Sequence, residues 1–330
     1  MQKERQIEQK PLNAIFIGGA QRSGTTMLGS ILGGAKGCVV TPESQFKDGL
    51  PQKHSSPNWK VEGVLKSVMI EELKKNFRYK LWELPVPDMS DLPENLKLRD
   101  YSIFLERLVC SYAKKHECKL CETWVDHTPG NLKHVLTLLE LFPNAKFIHL
   151  VRDPRGVAAS IMPLDWGADT PIEASVSWSA SLAYGLAAEQ AFPDRCIRVY
   201  YEDLLERPEL EVNRICKFCN LEFTFDMLTG RALTVPAYTK KQHKFVGARV
   251  LQTQATVWKE RLDQETILQI EQKLSDFMVL MGYKPFILEK VSPSGFLGRL
   301  KKLLKKNIAF ISKKVARYKK KRAVRSGVLK

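Results

Sequence analysis

The chain has 330 residues, of which 44% are hydrophobic, so it can bury a substantial core as one large domain or two small ones. It has no apolar run approaching ~20 residues, and its charged start, MQKERQIEQKPLNA, lacks the features of a secretory signal, so we expect a cytoplasmic protein with no transmembrane helix. The net charge of +16 is concentrated in residues 299–330, which hold 14 Lys and Arg and no acidic residue, and the rest of the chain is close to neutral.

The first half of the sequence predicts strand–helix units separated by an insertion. Residues 14–18 form an apolar run typical of a buried strand, and residues 25–32 have apolar side chains at helical spacing. Residues 48–100 contain proline clusters and polar runs, which predict an irregular insertion with short helices. Residues 120–125 then predict a strand, and residues 131–142 predict a helix with one apolar face.

The second half continues the alternation. Residues 146–151, KFIHLV, predict a buried strand, and Pro154 is suited to be the first residue of a helix. A long helix is predicted over residues 172–191, a strand over residues 196–201 and a helix from about Asp203. Alternating strands and helices predict a three-layer α/β fold with a mostly parallel central sheet. In such sheets ligands bind beyond the carboxyl ends of the strands.

A glycine-rich loop follows the first predicted strand. Its sequence, GAQRSGTT (residues 19–26), predicts an anion site, because backbone N–H groups of such a turn point towards the start of a helix. The spacing matches the nucleotide-triphosphatase loop GxxxxGK[ST], but Thr25 stands in place of the lysine. Arg22 supplies a cation from within the loop, Ser23, Thr25 and Thr26 supply hydroxyl donors, and Gly24 belongs to the same predicted site. A plain glycine turn with a Ser/Thr helix cap is the alternative.

A second anion site is predicted after strand KFIHLV. Arg152 stands at the end of that strand, and Ser160 lies two helical turns further on, so both can approach one phosphate. Asp153 is suited to cap the helix that begins at Pro154. If the two strands are neighbours in the sheet, Arg152 lies beside the glycine-rich loop.

The sequence shows no strong metal site. Seven cysteines are an odd number at low density, which fits a reducing compartment. Two CxxC pairs, Cys118/Cys121 and Cys216/Cys219, raise the possibility of a four-thiolate zinc site. Since the first pair falls near a strand, where neighbouring side chains alternate in direction, we expect buried structural cysteines instead.

Taken together, these motifs resemble the 3′-phosphoadenosine 5′-phosphosulfate (PAPS)-dependent sulfotransferases, especially the branch of the tyrosylprotein sulfotransferases and bacterial relatives. RSGTT, FPNAKFIHLVRDPR, VYYEDLLERP and VWKERL occur in consistent order over about residues 14–283. The resemblance implies a P-loop-like sulfotransferase domain, in which RSGTT holds the 5′-phosphosulfate and RDPR…S the 3′-phosphate. It also places Tyr201 near the nucleotide and implies a covering basic loop over residues 240–250, with Lys244 and Arg249 as contacts.

The resemblance implies two candidates for the proton acceptor. Glu43 follows a short apolar strand, where the tyrosylprotein branch has a catalytic glutamate, although an exposed loop glutamate is the alternative reading. His127 stands where relatives commonly have a lysine, so it could donate to the leaving oxygen or act as the base, as histidine does in the cytosolic small-molecule branch. Arg22 is expected to stabilise charge on the bridging oxygen. His149, within an apolar strand, is expected to be a core residue.

The sequence therefore predicts three segments and one main function. They are an N-terminal extension (residues 1–12), a sulfotransferase domain (13–290) and a basic amphipathic tail (291–330). Residues 296–325 favour peripheral binding to an anionic membrane surface, with a solvated tail or a nonspecific polyanion contact as alternatives and no specific nucleic acid expected. The acceptor hydroxyl of a glycan, glycolipid or protein tyrosine is left open. The transfer needs no metal.

Two rival functions are weighed against this prediction. A P-loop kinase-like phosphoryl transferase needs a lysine at position 25 and magnesium-binding carboxylates, and the sequence has Thr25 instead. A non-catalytic membrane or nucleic-acid binding protein with a relic nucleotide loop would depend on the basic tail and not on Arg22.

Overall fold

The computed structural model describes residues 11–54, 56–118, 120–233 and 252–286. The predicted loop contacts Lys244 and Arg249 and the basic segment 296–325 lie outside these ranges. No helix within them is long and apolar enough to cross a membrane.

Seven strands and thirteen α-helices occur in the described ranges. The strands are β1 Asn13–Gly19, β2 Cys38–Val40, β3 Val64–Leu65, β4 Asn95–Leu96, β5 Thr123–Asp126, β6 Lys146–Val151 and β7 Cys196–Tyr200. The α-helices are α1 Thr25–Leu32, α2 Leu50–His54, α3 Trp59–Glu62, α4 Lys66–Lys75, α5 Phe77–Lys80, α6 Leu98–Lys115, α7 Val135–Leu141, α8 Pro154–Ile161, α9 Pro171–Ala191, α10 Tyr201–Glu206, α11 Pro208–Cys219, α12 Trp258–Arg261 and α13 Gln264–Leu280. Short 3₁₀ helices cover Pro129–His134, Phe225–Thr229 and Gln252–Ala255.

A five-stranded sheet lies at the centre of the fold. Its strand order is β2-β5-β1-β6-β7, and every neighbouring pair is parallel. The carboxyl ends of all five strands therefore share one edge, where ligands of α/β proteins bind. The predicted three-layer α/β architecture with a parallel sheet is confirmed.

Both faces of the sheet are covered. Side chains alternate along β1, so that Phe16 joins a core with α6 and α7, whereas Ile15 and Ile17 join a core with α1, α10 and α11. All three are almost fully buried. Burial on both faces explains why the strands appear in the sequence as short, continuous apolar runs.

The insertion between β2 and β5 carries short helices, as predicted. Helices α2 to α5 and the antiparallel pair β3–β4 pack on the sheet through buried aromatic side chains. Trp59, Trp82 and Tyr101 are nearly inaccessible to solvent. The segment therefore belongs to the main core of the molecule.

Two predicted elements differ from the structure. The strand predicted over residues 120–125 begins at Thr123, because the main chain of Glu122 first bonds to Gly37 and Asn13. The helix predicted over residues 131–142 begins as the 3₁₀ turn Pro129–His134 and becomes α-helical only at Val135.

The cysteine pairs lie in different environments. Cys216 and Cys219 are buried in α11, whereas Cys118 is exposed and Cys121 precedes β5. In the described part of the chain, no group of three or more His, Cys, Asp or Glu side chains is arranged to hold a metal ion.

Helix α9 approaches the sheet closely at Gly185. A methyl group there would overlap the imidazole ring of His149 on β6. That ring is buried and bonds through Nδ1 to Glu189 Oε1 at 2.6 Å, which agrees with the predicted core position of His149. A side chain at position 185 would therefore force the helix away from the strand.

We predict that Gly185→Ala lowers the free energy of unfolding by about 1–3 kcal/mol, because overpacking outweighs the better helix propensity of alanine. Ser177→Ala, at an exposed position of the same helix, should change it by less than about 0.5 kcal/mol. Urea unfolding measures both, and a stabilised Gly185→Ala variant would contradict the close packing.

Candidate functional site

The loop between β1 and α1 adopts a conformation suited to binding an anion. Arg22 has φ 70° and Gly24 has φ 96°, and left-handed residues within a turn direct successive N–H groups to one side. A left-handed arginine is uncommon and indicates a functional constraint. Gly24 precedes α1 without a side-chain cap, so the first N–H groups of the helix are left for a ligand.

The same glycine lets Tyr201 close over the loop. A Cβ at Gly24 would lie 2.7 Å from Cδ2 of the Tyr201 ring, which is too close for any other residue. The ring is buried, and the guanidinium of Arg152 lies over it at 4.3 Å from its centroid. Tyr201 thus packs the end of β7 against both of the predicted anion sites.

Arg22 and Arg152 meet where the ends of β1 and β6 lie side by side. Arg152 Nη1 donates to the carbonyl oxygen of Arg22 at 2.7 Å, and Arg22 Nε donates to Ser160 Oγ at 3.2 Å. The structure therefore brings together residues that are about 130 positions apart in the chain. Burial lowers the pKa of Arg22, and the charge of Arg152 lowers it further, whereas Glu43 and Tyr201 act in the opposite sense. Two guanidinium groups held this close favour a ligand with several negative charges.

The hydroxyl groups of the loop lie inside the fold. Ser23, Thr25 and Thr26 are all buried. The Oγ of Ser23 has no hydrogen-bond partner among the described residues. An unpaired buried hydroxyl is uncommon in a folded protein, and it is suited to donate to a bound anion.

Glu43 follows β2 at the same edge of the sheet. Its Oε2 accepts from Gln45 Nε2 at 3.0 Å and lies 3.3 Å from Arg78 Nη1. The side chain is about 18% exposed, so solvent or an acceptor can reach it. Its negative charge raises the pKa of Arg22, against the lowering by burial and by Arg152.

Arg78 is a site residue that sequence reasoning missed. It lies on α5, in the insertion that precedes β5, and no motif surrounds it. Only the packing of the insertion against the sheet places its guanidinium beside Glu43.

His127 follows β5 and is buried under α1. It is 3% exposed, and a Cβ at Gly29 would lie 2.9 Å from the Cβ of His127. Neither ring nitrogen has a hydrogen-bond partner among the described residues. Buried side-chain nitrogens normally have at least one such partner, so the unpaired ring of His127 is unusual for a buried histidine.

The second arginine of the RDPR motif has a different environment from the first. Arg155 Nη2 and Nη1 lie 2.7 Å from Asp153 Oδ2 and Glu271 Oε1. Its guanidinium also stacks 4.0 Å from the centroid of Trp258. Asp153 accepts from the backbone N–H of Arg155, which confirms it as the helix cap. Arg155 therefore ties α8 to α12 and α13 inside the protein.

Known proteins resemble this chain in sequence and in fold. The sequence model of the Sulfotransferase family matches residues 14–225. A candidate protein-tyrosine sulfotransferase of Caenorhabditis briggsae is 25% identical over 280 residues, 82% of this chain and 88% of that protein. The protein-tyrosine sulfotransferase of Drosophila melanogaster is 26% identical over 213 residues, 63% of this chain and 38% of that protein. The solved sulfotransferase domain of the Synechococcus PCC 7002 olefin synthase is similar in fold, with a TM-score of 0.51 and 21% identity over 83% of this chain and 98% of that domain.

The two arginines of the RDPR motif should differ in their effect on stability. Arg155→Met leaves Asp153 and Glu271 buried without the guanidinium that joins them, at a cost of about 3–5 kcal/mol in unfolding free energy. Arg152→Met removes one of two adjacent cations and should change it by less than about 1 kcal/mol. Urea unfolding without nucleotide measures both, and equal losses would contradict the assignment.

Proposed function

This chain belongs to the sulfotransferase family, and from that premise we propose that it transfers a sulfuryl group from PAPS to an acceptor hydroxyl. The observation that carries the proposal is the junction of the two strand ends, where Arg152 bonds to the Arg22 carbonyl and Arg22 bonds to Ser160. One nucleotide with a phosphate at each end of its ribose fits such a pair of cations.

The residues of the proposed site divide between the two ends of the donor. Arg22, Ser23, Gly24, Thr25 and Thr26 hold the 5′-phosphosulfate, and Arg152 with Ser160 holds the 3′-phosphate. Support comes from the left-handed turn, the uncapped start of α1 and the buried Ser23 hydroxyl. Tyr201 closes the site from the side of β7. Lys244 and Arg249, outside the described residues, stay predicted contacts.

The proposed reaction is an in-line displacement at sulfur. The acceptor oxygen bonds to sulfur as the bond from sulfur to the bridging oxygen breaks, and the electron pair of that bond leaves with 3′,5′-adenosine bisphosphate (PAP). Glu43 takes the hydroxyl proton, while Arg22 and His127 stabilise charge on the leaving phosphate. Glu43 is suited to this role because its carboxylate is partly open to solvent and its charge acts on Arg22.

The class of acceptor is proposed from the named relatives. The named relatives are protein-tyrosine sulfotransferases, which favours the phenolic hydroxyl of a peptide tyrosine as the first acceptor to test. A glycan or glycolipid hydroxyl is the second choice. We assign the transferase to residues 13–290, with residues 1–12 as an extension and residues 291–330 as a basic tail, and we propose residues 296–325 as the segment that contacts an anionic membrane surface.

Measurements of nucleotide binding test the role of Arg22 and Arg152. We predict that Arg152→Ala and Arg22→Ala each weaken PAP binding about 10- to 150-fold, equivalent to about 1.5–3 kcal/mol, because each removes a charged hydrogen bond to phosphate. Arg99→Ala, an exposed arginine on α6, should leave the affinity unchanged. Isothermal titration with PAP and with ATP plus Mg²⁺ measures this. Tight, magnesium-dependent ATP binding would favour a kinase, and unchanged PAP affinity in both variants would contradict the proposal.

Measurements of turnover test whether Glu43 is the catalytic base. Glu43→Ala and the isosteric Glu43→Gln should keep the PAP affinity of the wild type and lower kcat by about 10²–10⁴-fold, because the hydroxyl proton then has no acceptor. A mass-resolved transfer assay with tyrosine peptides, glycans and glycolipids provides the measurement. Near-normal turnover of both Glu43 variants, together with loss of turnover in His127→Ala, would move the base role to His127.

A further inference from the structure

A buried polar cluster contains residues that adjoin Glu43 and His127 in the chain. Its centre is the carboxylate of Asp126, which is fully buried. Thr128 N donates to Asp126 Oδ1 at 3.0 Å, and Asn131 Nδ2 donates to the same oxygen at 2.7 Å. Ser44 Oγ donates to Oδ2, and Lys47 Nζ lies 3.3 Å from Oδ1.

The cluster joins the ends of three strands. Ser44 directly follows Glu43, and its backbone N–H donates to Thr128 Oγ1 at 3.1 Å, so the segment after β2 is bonded to the segment after β5. Asn131 Nδ2 also donates to the carbonyl oxygen of Ile17 at 2.9 Å, close to the end of β1. The segments that carry Glu43 and His127 and the strand that leads to Arg22 are therefore linked through one carboxylate.

Asp126 and His127 point to opposite sides of the sheet. Lys47, the partner of Asp126, lies over the Phe16 ring at 5.7 Å, on the face covered by α6 and α7. His127 lies against Gly29 of α1, on the other face. Holding the Asp126 carboxylate on one side therefore fixes the main chain from which the imidazole projects on the other.

The buried charges of Lys47 and Asp126 contribute little net stability to the fold. Lys47 is 1% exposed and Asp126 is fully buried, and a buried ion pair loses in desolvation most of what it gains in attraction. Burial raises the pKa of Asp126, but Lys47, Ser44, His127 and Asn131 together lower it to about 2, so the carboxylate stays ionised. An ionised group with several fixed donors defines one geometry, which is what a reacting site requires.

We propose that Asp126 is a positioning residue for sulfuryl transfer, which holds Glu43 through Ser44 and holds His127 through the end of β5. The inference rests on the proposed function. Asp126 acts through its neighbours and does not contact the donor or the acceptor.

The central test is Asp126→Asn, which keeps the shape of the side chain and removes its charge. Because a displacement of about 1 Å at a reacting group costs about 100-fold in rate, we expect kcat to fall about 100-fold. The dissociation constant for PAP, which depends on Arg22 and Arg152, should change less than about threefold. Ser102→Ala is the matched control, since its buried hydroxyl bonds to the Leu141 carbonyl away from this edge, and its kcat should be that of the wild type.

Two further variants separate positioning from folding. Ser44→Ala keeps the Lys47–Asp126 pair but removes one link, and it should lower kcat about tenfold with an unchanged urea midpoint. The double variant Lys47→Met/Asp126→Asn removes both buried charges, so its urea midpoint should recover towards that of the wild type while kcat stays low. A double variant that recovers both would show a structural role only and would overturn the proposal.

Hydrogen exchange supplies a readout that does not depend on activity. The Ser44 amide, bonded to Thr128, should exchange at least about tenfold faster in Asp126→Asn than in Ser102→Ala. Unchanged exchange at Ser44, or wild-type kcat in Asp126→Asn, would overturn the positioning role. A wild-type protein that binds no PAP would instead overturn the proposed function, and the Ser44 exchange would still decide whether Asp126 holds this segment.

Discussion

The contact between Arg152 and the carbonyl oxygen of Arg22 is the constraint on which the rest of the site depends. It places one guanidinium group beside another, and burial and mutual repulsion lower the pKa of Arg22. The two arginines are held this close because β1 and β6 are parallel neighbours whose carboxyl ends lie side by side. Gly24 and Tyr201 complete the arrangement, since only a glycine leaves room for the ring that supports Arg152.

Two arginines three positions apart show how the surroundings assign a role to a residue type. Arg152 is partly open and pairs with a carbonyl and an aromatic face, so it can bind a phosphate. Arg155 is buried, pairs with two carboxylates and stacks on Trp258, so its charge is neutralised within the protein. The fork geometry of the guanidinium suits both tasks, and the counter-charge decides between them.

Much of the fold could be predicted because its elements are locally encoded. Strand β6 and helix α1 lie at the predicted residues, since a buried strand leaves a short continuous apolar run and a helix leaves apolar side chains at helical spacing. The prediction failed at the start of β5 and at the turn after it. There the backbone bonds to Gly37 and the Asn131 side chain bonds to Ile17, contacts between residues distant in the chain that no local pattern records.

The sequence by itself determined the main order of strands and helices, because glycine turns, helix caps and apolar periods act over a few residues. The family and the roles of the two predicted anion-binding motifs came from the resemblance of RSGTT and RDPR, in order along the chain, to known sulfotransferases. Only the tertiary structure decided that Arg78 faces Glu43, that His127 is buried under α1 and that Lys47 pairs with Asp126. The cause is physical. A charged side chain in a sequence carries no mark of its burial, and the pairing of Lys47 with Asp126, 79 positions apart, exists only once the insertion packs on the sheet.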